Sequence, residues 1–259
     1  MKDIKTNKTL VNVVLDRSGS MAHTRAETIS GYNEYIKTLR SDTKTEYDIT
    51  LIQFDANQGP ELTVKYTDKP LADVPLLTEA DYEPRGWTPL YDAIGECVRR
   101  VETKDRLVIT VVITDGQENA SKEFTKESIK ALIADKEKNE HWTFVFLGAD
   151  IDAYAVGGAI GMRSFDTINY EKGQEHNLYA SLSASTMRRS GVAQTLGMHA
   201  AAASPMFTSA EKVAAGDRTP YPGKPMNPNA PTPGGRPAAP PTFRPPVSGK
   251  PRTSWRKTS

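Results

Sequence analysis

Asp16, Ser18 and Ser20 stand at alternate positions directly after the apolar run Leu10-Val11-Asn12-Val13-Val14-Leu15. A loop that leaves a buried strand and curls about a point aims such positions at that point. Three hard oxygens, only one of them fully charged, suit a hard divalent cation such as Mg2+ or Mn2+. A cation neutralised so little stays electrophilic and takes another anion. A second acid, Asp115, follows the run Leu107 to Thr114, a continuous β-branched stretch of the kind that forms a central parallel strand buried on both faces. Asp115-Gly116 is a strand-terminating turn signal. Two apolar strands that each end in Asp point to one crevice at the carboxyl edge of a parallel sheet, where open α/β folds bind ligands. Between them, Pro89 fits the first turn of a helix, which makes Thr88 an N-cap candidate with its hydroxyl at a loop tip.

Asp16-x-Ser18-x-Ser20, then Thr88, then Asp115-Gly116, in this order, resembles the von Willebrand factor type A (VWA) domain and its metal-ion-dependent adhesion site (MIDAS). The resemblance covers roughly residues 8 to 190, with no motif position missing. The flanking segments Thr28 to Asn33, Leu51 to Asp55, Ile113 to Ser121 and Phe144 to Ala149 are similar to those of the small intracellular bacterial and phage members. The resemblance implies that Ser18 and Ser20 bind the ion directly and that Asp16 and Asp115 act mostly through waters. Thr88 is then a ligand either directly or through water. It also implies that a Glu or Asp of a protein partner fills the remaining position, and that the partner could be a ring-forming ATPase served by an intracellular adaptor. Neutral hydroxyl ligands agree with this, because they leave net positive charge on the ion.

The elements that would position these residues follow from periodicity. Residues 9–15 and 47–54 read as strands, and 61–66 as an antiparallel edge strand with outward Glu, Thr and Lys. Helices are expected at 24–39 and 90–102, after Thr125 with Ser128 in the capping-box position, at 151–160 and at 172–189. Strands are expected at 107–114, 142–147 and 164–166. Alternating βα units imply an α/β fold: a doubly wound, mostly parallel sheet with one antiparallel edge strand and helices on both faces.

Charge and composition divide the chain. Residues 204–259 carry +7 and 13 of the 18 prolines, whereas residues 1–203 carry −6. The large apolar residues of that final stretch, Met206 and Phe207 among them, show no period. The expectation is a VWA domain over 1–203 followed by a Pro-rich, basic, disordered tail over 204–259. Weak nucleic-acid contact by the tail is one alternative function. The single cysteine, Cys97, excludes an internal disulfide and reads as a buried helical thiol. The amino-terminal residues lack a signal peptide's apolar region, and no apolar run of 18 residues occurs, so the expected setting is cytoplasmic, without a membrane span.

Other residues near the motif carry two readings each. Arg17 and Gln117 are either partner contacts or solvated loop residues. Trp87 is either an exposed anchor or a core residue. His23 reads as a surface residue at a helix start, and its imidazole is softer than the oxygens around it. The rival function is a Mg2+-dependent phosphohydrolase, which also places Asp at strand ends. That chemistry usually needs a second carboxylate two residues after the first, and position 18 is Ser. The expectation is therefore a binding module rather than an enzyme.

Overall fold

The computed structural model describes residues 5–57, 62–102, 106–138 and 141–219. Six strands form one sheet: β1 (Lys8–Asp16), β2 (Glu46–Phe54), β3 (Leu62–Pro70), β4 (Leu107–Thr114), β5 (Trp142–Ala149) and β6 (Thr167–Tyr170). Their spatial order is β3-β2-β1-β4-β5-β6. All neighbours are parallel except β2 and β3, which pair antiparallel. The helices are α1 (Arg25–Arg40), α2 (Leu90–Arg100), α3 (Lys126–Glu137), α4 (Ala153–Ala159), α5 (Glu175–Thr195), α6 (Met198–Ala203) and α7 (Ser209–Ala214). This is the doubly wound, mostly parallel architecture of the Rossmann-like VWA fold.

Alternation along β1 assigns its two faces. Val11, Val13 and Leu15 pack in one cluster with Tyr32 and Ile36 of α1 and with Leu178 and Leu182 of α5. Leu10 and Val14 pack in the other with Ile94 and Val98 of α2 and with Ile129 and Ile133 of α3. Every residue of β4 and β5 is buried, as their continuous apolar runs require. Asp16 follows the same alternation as Leu10 and Val14. Chain order reverses between β1 and β4, so the crevice outside their carboxyl ends is the topological switch point of the sheet.

Two readings of the sequence need correction. The final strand is Thr167–Tyr170, and Ser164–Asp166 forms a single 3-10 turn. Asp166 is fully buried there and accepts hydrogen bonds from Arg163 Nε at 2.6 Å and from the Met206 backbone N–H at 2.8 Å. A buried ionic anchor, rather than strand pairing, sets that segment. The domain also does not stop at residue 203; its compact unit reaches Arg218. Met206 and Phe207 are buried, α7 carries a capping box between Thr208 and Glu211, and Arg188 pairs with Glu211 at 2.6 Å. Burial here comes from single side chains dropped into a completed core, so it leaves no period in the sequence. The proline-rich stretch 220–259 and its expected disorder lie outside the described residues.

Phe207→Ala should therefore destabilise the domain by about 3–5 kcal/mol, the cost of emptying a buried aromatic site. Chemical denaturation of the variant checks this, and a chain ending at Ala203 should lose more still.

Candidate metal centre

The ladder between β1 and β4 sets Leu15 opposite Ile113, so Asp16 and Asp115 leave adjacent strand ends. Asp16 is fully buried and its carboxylate is held at both oxygens. Oδ1 accepts the Ser18 backbone N–H at 2.6 Å, and Oδ2 accepts the Thr114 hydroxyl at 2.5 Å. The Asp16 carbonyl accepts the buried Tyr82 hydroxyl at 2.5 Å. Burial pushes the Asp16 carboxyl up to about 6, outweighing the hydrogen bonds from Thr114 and Ser18 that pull it down.

The hydroxyls converge beside this acid. Ser18 Oγ and Ser20 Oγ lie 3.1 Å apart, and the Ser20 hydroxyl donates to Asp115 Oδ1. Ser18 is buried and Ser20 is exposed, so the pair forms the floor and the lip of the site. Gly116 brings Thr88 into the same cluster. A Cβ at Gly116 would stand 2.8 Å from Thr88 Oγ1 and 3.6 Å from Asp16 Oδ2, so glycine lets the loop after β4 approach both. All five residues expected from the sequence are thus brought together: Asp16, Ser18, Ser20, Thr88 and Asp115.

Three loops are stitched to one another to hold that arrangement. The Arg17 N–H bonds the Phe54 carbonyl at 2.8 Å, the Arg85 N–H bonds the Arg17 carbonyl at 2.8 Å, and the Gly19 N–H bonds the Gly86 carbonyl at 3.1 Å. Gly86 has φ +67° and presses on the Ala56 carbonyl, a place a side chain could not occupy. Asn119 clamps Thr88 twice: its Oδ1 accepts the Thr88 N–H at 2.8 Å, and its own N–H bonds the Thr88 carbonyl at 3.1 Å. Asp92 accepts the N–H groups of Lys122, Glu123 and Phe124 at 2.7, 3.0 and 2.8 Å.

The geometry changes several expectations. Thr88 does not cap α2. The helix starts at Leu90 with Pro89 before it, and its first N–H groups bond Glu118 Oε2 and Ser121 Oγ instead. Arg17 is neither a partner contact nor a solvated residue, because it is buried in a salt bridge with Asp55 at 2.5 Å. Gln117 and His23 are exposed. Trp87 is 66% exposed, which makes it a surface residue beside Thr88. Its backbone is pinned to Ala56 by two hydrogen bonds of 2.9 Å. Cys97 is buried, with its thiol pushed up to about 12 by burial.

Lys172 is a member of the site that sequence reasoning missed. It lies in the loop after β6, and its Nζ stands 2.9 Å from both Asp115 Oδ2 and Asp150 Oδ2. Nothing local marks it, since a lysine after a strand is ordinary and only the sheet order brings it to Asp115. Among the described residues no three His, Cys, Asp or Glu side chains gather into a metal cluster. An ion here would therefore be held by hydroxyls and a pair of carboxylates. The oxygen-only donor set and the buried Asp115 Oδ2, which meets the Lys172 ammonium and no other donor among the described residues, fit a hard divalent cation.

Similarity to known proteins rests on the fold. No family model matches the chain, and no curated protein matches it. Among solved structures, it is similar to the pilus adhesin SpaC from Lactobacillus rhamnosus GG, with a TM-score of 0.56 and 11% identity over 72% of this chain and 31% of that one. It is also similar to proximal thread matrix protein 1 from the mussel byssus, with a TM-score of 0.50 and 15% identity over 72% of this chain and 47% of that one. A third is the PilB minor pilin from Streptococcus sanguinis, with a TM-score of 0.51 and 12% identity over 73% of this chain and 63% of that one. The chain thus spans less than two thirds of the length of each. Among the described residues no helix is long and apolar enough to cross a membrane.

The raised carboxyl of Asp16 makes a signed expectation for the metal-free protein. A folded value of about 6 against 3.8 means that folding favours the neutral acid, so this contribution is present at low pH and is lost as pH rises through 6. The gain in stability from Asp16→Asn should therefore grow with pH, reaching up to about 3 kcal/mol more at pH 7.5 than at pH 4. Denaturant titrations in a chelator at the two pH values measure it, and a difference independent of pH would contradict it.

Proposed function

We propose that this domain is a metal-dependent protein-interaction module. Mg2+ or Mn2+ bound by Ser18, Ser20 and Thr88, with Asp16 and Asp115 orienting its waters, would offer an open position to a partner's Glu or Asp. The observation that carries the reading is the chain of contacts from the Ser18 hydroxyl to the Ser20 hydroxyl to Asp115, next to the buried Asp16 carboxylate that accepts the Ser18 N–H. The hydroxyls are neutral, so the protein supplies few charges, and an anion from outside completes the set.

The surroundings favour a macromolecular ligand. Trp87 stands exposed beside Thr88 on a backbone fixed by its bridge to Ala56. An aromatic residue on an ordered backbone loses little entropy on contact, which suits it to anchor a partner next to the coordinated carboxylate. A shallow depression lined by Ala56, Asn57, Trp87, Asn119 and Lys122 continues from it. The rival phosphohydrolase reading would need a second carboxylate at position 18, two residues after Asp16, where this chain has serine. The adaptor role, the intracellular setting and a ring-forming ATPase as partner extend the same proposal from the resemblance of the motif.

Titration calorimetry with Mg2+ and Mn2+ tests the reading. Wild type should bind one divalent ion with a Kd on the order of 0.1–1 mM, since few charged groups contact it. Ser18→Ala and Asp115→Ala should abolish the heat while leaving the circular dichroism spectrum unchanged. Equal heats in wild type and Ser18→Ala would refute the assignment.

A further inference from the structure

The two carboxylates at the switch point are compensated unequally. Asp16 is satisfied by hydrogen bonds from the Ser18 N–H and the Thr114 hydroxyl. Asp115 has a side chain with no exposed surface and receives one hydroxyl, from Ser20, on Oδ1. Its Oδ2 meets the Lys172 ammonium at 2.9 Å and no other donor among the described residues. That ammonium is shared with Asp150, also at 2.9 Å, whose side chain is 61% exposed. Lys172 itself is 28% exposed and stands on a flexible four-carbon stem. One cation therefore sits between a buried acid with little else to neutralise it and a solvated acid that water already stabilises.

A divalent ion held by Ser18 and Ser20 would draw on the same Asp115 carboxylate and would repel an ammonium beside it. Of the groups involved, the lysine is the one whose charge can swing away. Asp150 lies just past the end of β5, with φ +54°, and gives the displaced ammonium a second carboxylate without a change in the fold.

We propose that Lys172 is a built-in competitor of the metal, a tethered cation that neutralises Asp115 in the metal-free site and yields to the ion by moving onto Asp150. It sets the affinity of the site and keeps the crevice neutralised between binding events. The proposal rests on the metal reading above and is separable from it by experiment.

The test compares Mn2+ affinity by calorimetry in wild type, Lys172→Met, Lys172→Gln, Asp150→Asn and the Lys172→Met/Asp150→Asn double variant. The lysine variants should bind Mn2+ roughly three- to tenfold more tightly, the scale of a partly exposed ion pair plus relief of repulsion. Asp150→Asn should bind severalfold more weakly, and that loss should vanish in the double variant, because Asp150 acts through Lys172. Modification of Lys172 by an acylating reagent, followed by mass spectrometry, should accelerate as Mn2+ binds, with the same midpoint as the calorimetry. Lysine variants within about twofold of wild type would overturn this inference and leave the metal reading intact. An Asp150→Asn loss that persists in the double variant would also overturn it, since that is a long-range charge effect. Absence of Mn2+ binding in every variant, each shown folded by thermal melting, would overturn both.

Discussion

Parallel pairing of β1 with β4 is the constraint from which the site follows. The register that buries Val11, Val13 and Leu15 against Ile109, Val111 and Ile113 also forces Asp16 and Asp115 out at neighbouring carboxyl ends. The core fixes that ladder, because a slip of one residue would turn each strand's apolar set to the wrong face. Two acids are thereby held side by side whatever their mutual repulsion. The hydrogen bonds from Thr114 and Ser18 to the Asp16 carboxylate, and from Tyr82 to its backbone carbonyl, can then position an acid that packing has already brought there.

A third acid shows how differently two of them are compensated. Asp55 follows β2 as Asp16 ends β1, and it too is buried. It differs in what surrounds it: Arg17 pairs with it at 2.5 Å and Arg85 at 3.3 Å. Two guanidinium groups close Asp55 off as a fastener between loops. Asp16 is held by neutral donors, and Asp115 meets one lysine on a flexible stem. The same residue type at three strand ends thus does two jobs, and the local supply of positive charge separates them. Buried carboxylates left short of cations are costly, which is the condition under which a metal contributes most.

Much of this was legible in the sequence because it depends on local pattern. The first five strand runs, the Asp residues that close β1 and follow β4, and Thr125 with Ser128 as a capping box lie where periodicity and turn chemistry put them. What stayed hidden depends on distant partners. Lys172 joins the site only through the sheet order, Arg17 turns inward only because Asp55 waits for it, and Met206 and Phe207 are buried by a core assembled from elsewhere. A single sequence records periodicity along an element but not the pairing of one residue with one residue far away.

The start of α2 shows how a tertiary partner overrides a local signal to the benefit of the site. Thr88 before Pro89 has the composition of an N-cap, yet the helix takes its capping acceptors from Glu118 and Ser121 in the loop after β4. A hydroxyl that accepts a helix N–H is oriented by that bond and is less available as a ligand. Capping by proxy removes this conflict. Asn119, from the same loop, holds the Thr88 backbone instead of its side chain, so Thr88 Oγ1 stays close to Gly116, which also adjoins Asp16 Oδ2. The segment that follows Asp115 therefore serves the site twice. It carries one acid into the crevice, and it ties down the helix start that presents the fifth oxygen, which makes the spacing of the two loops a single quantity rather than two.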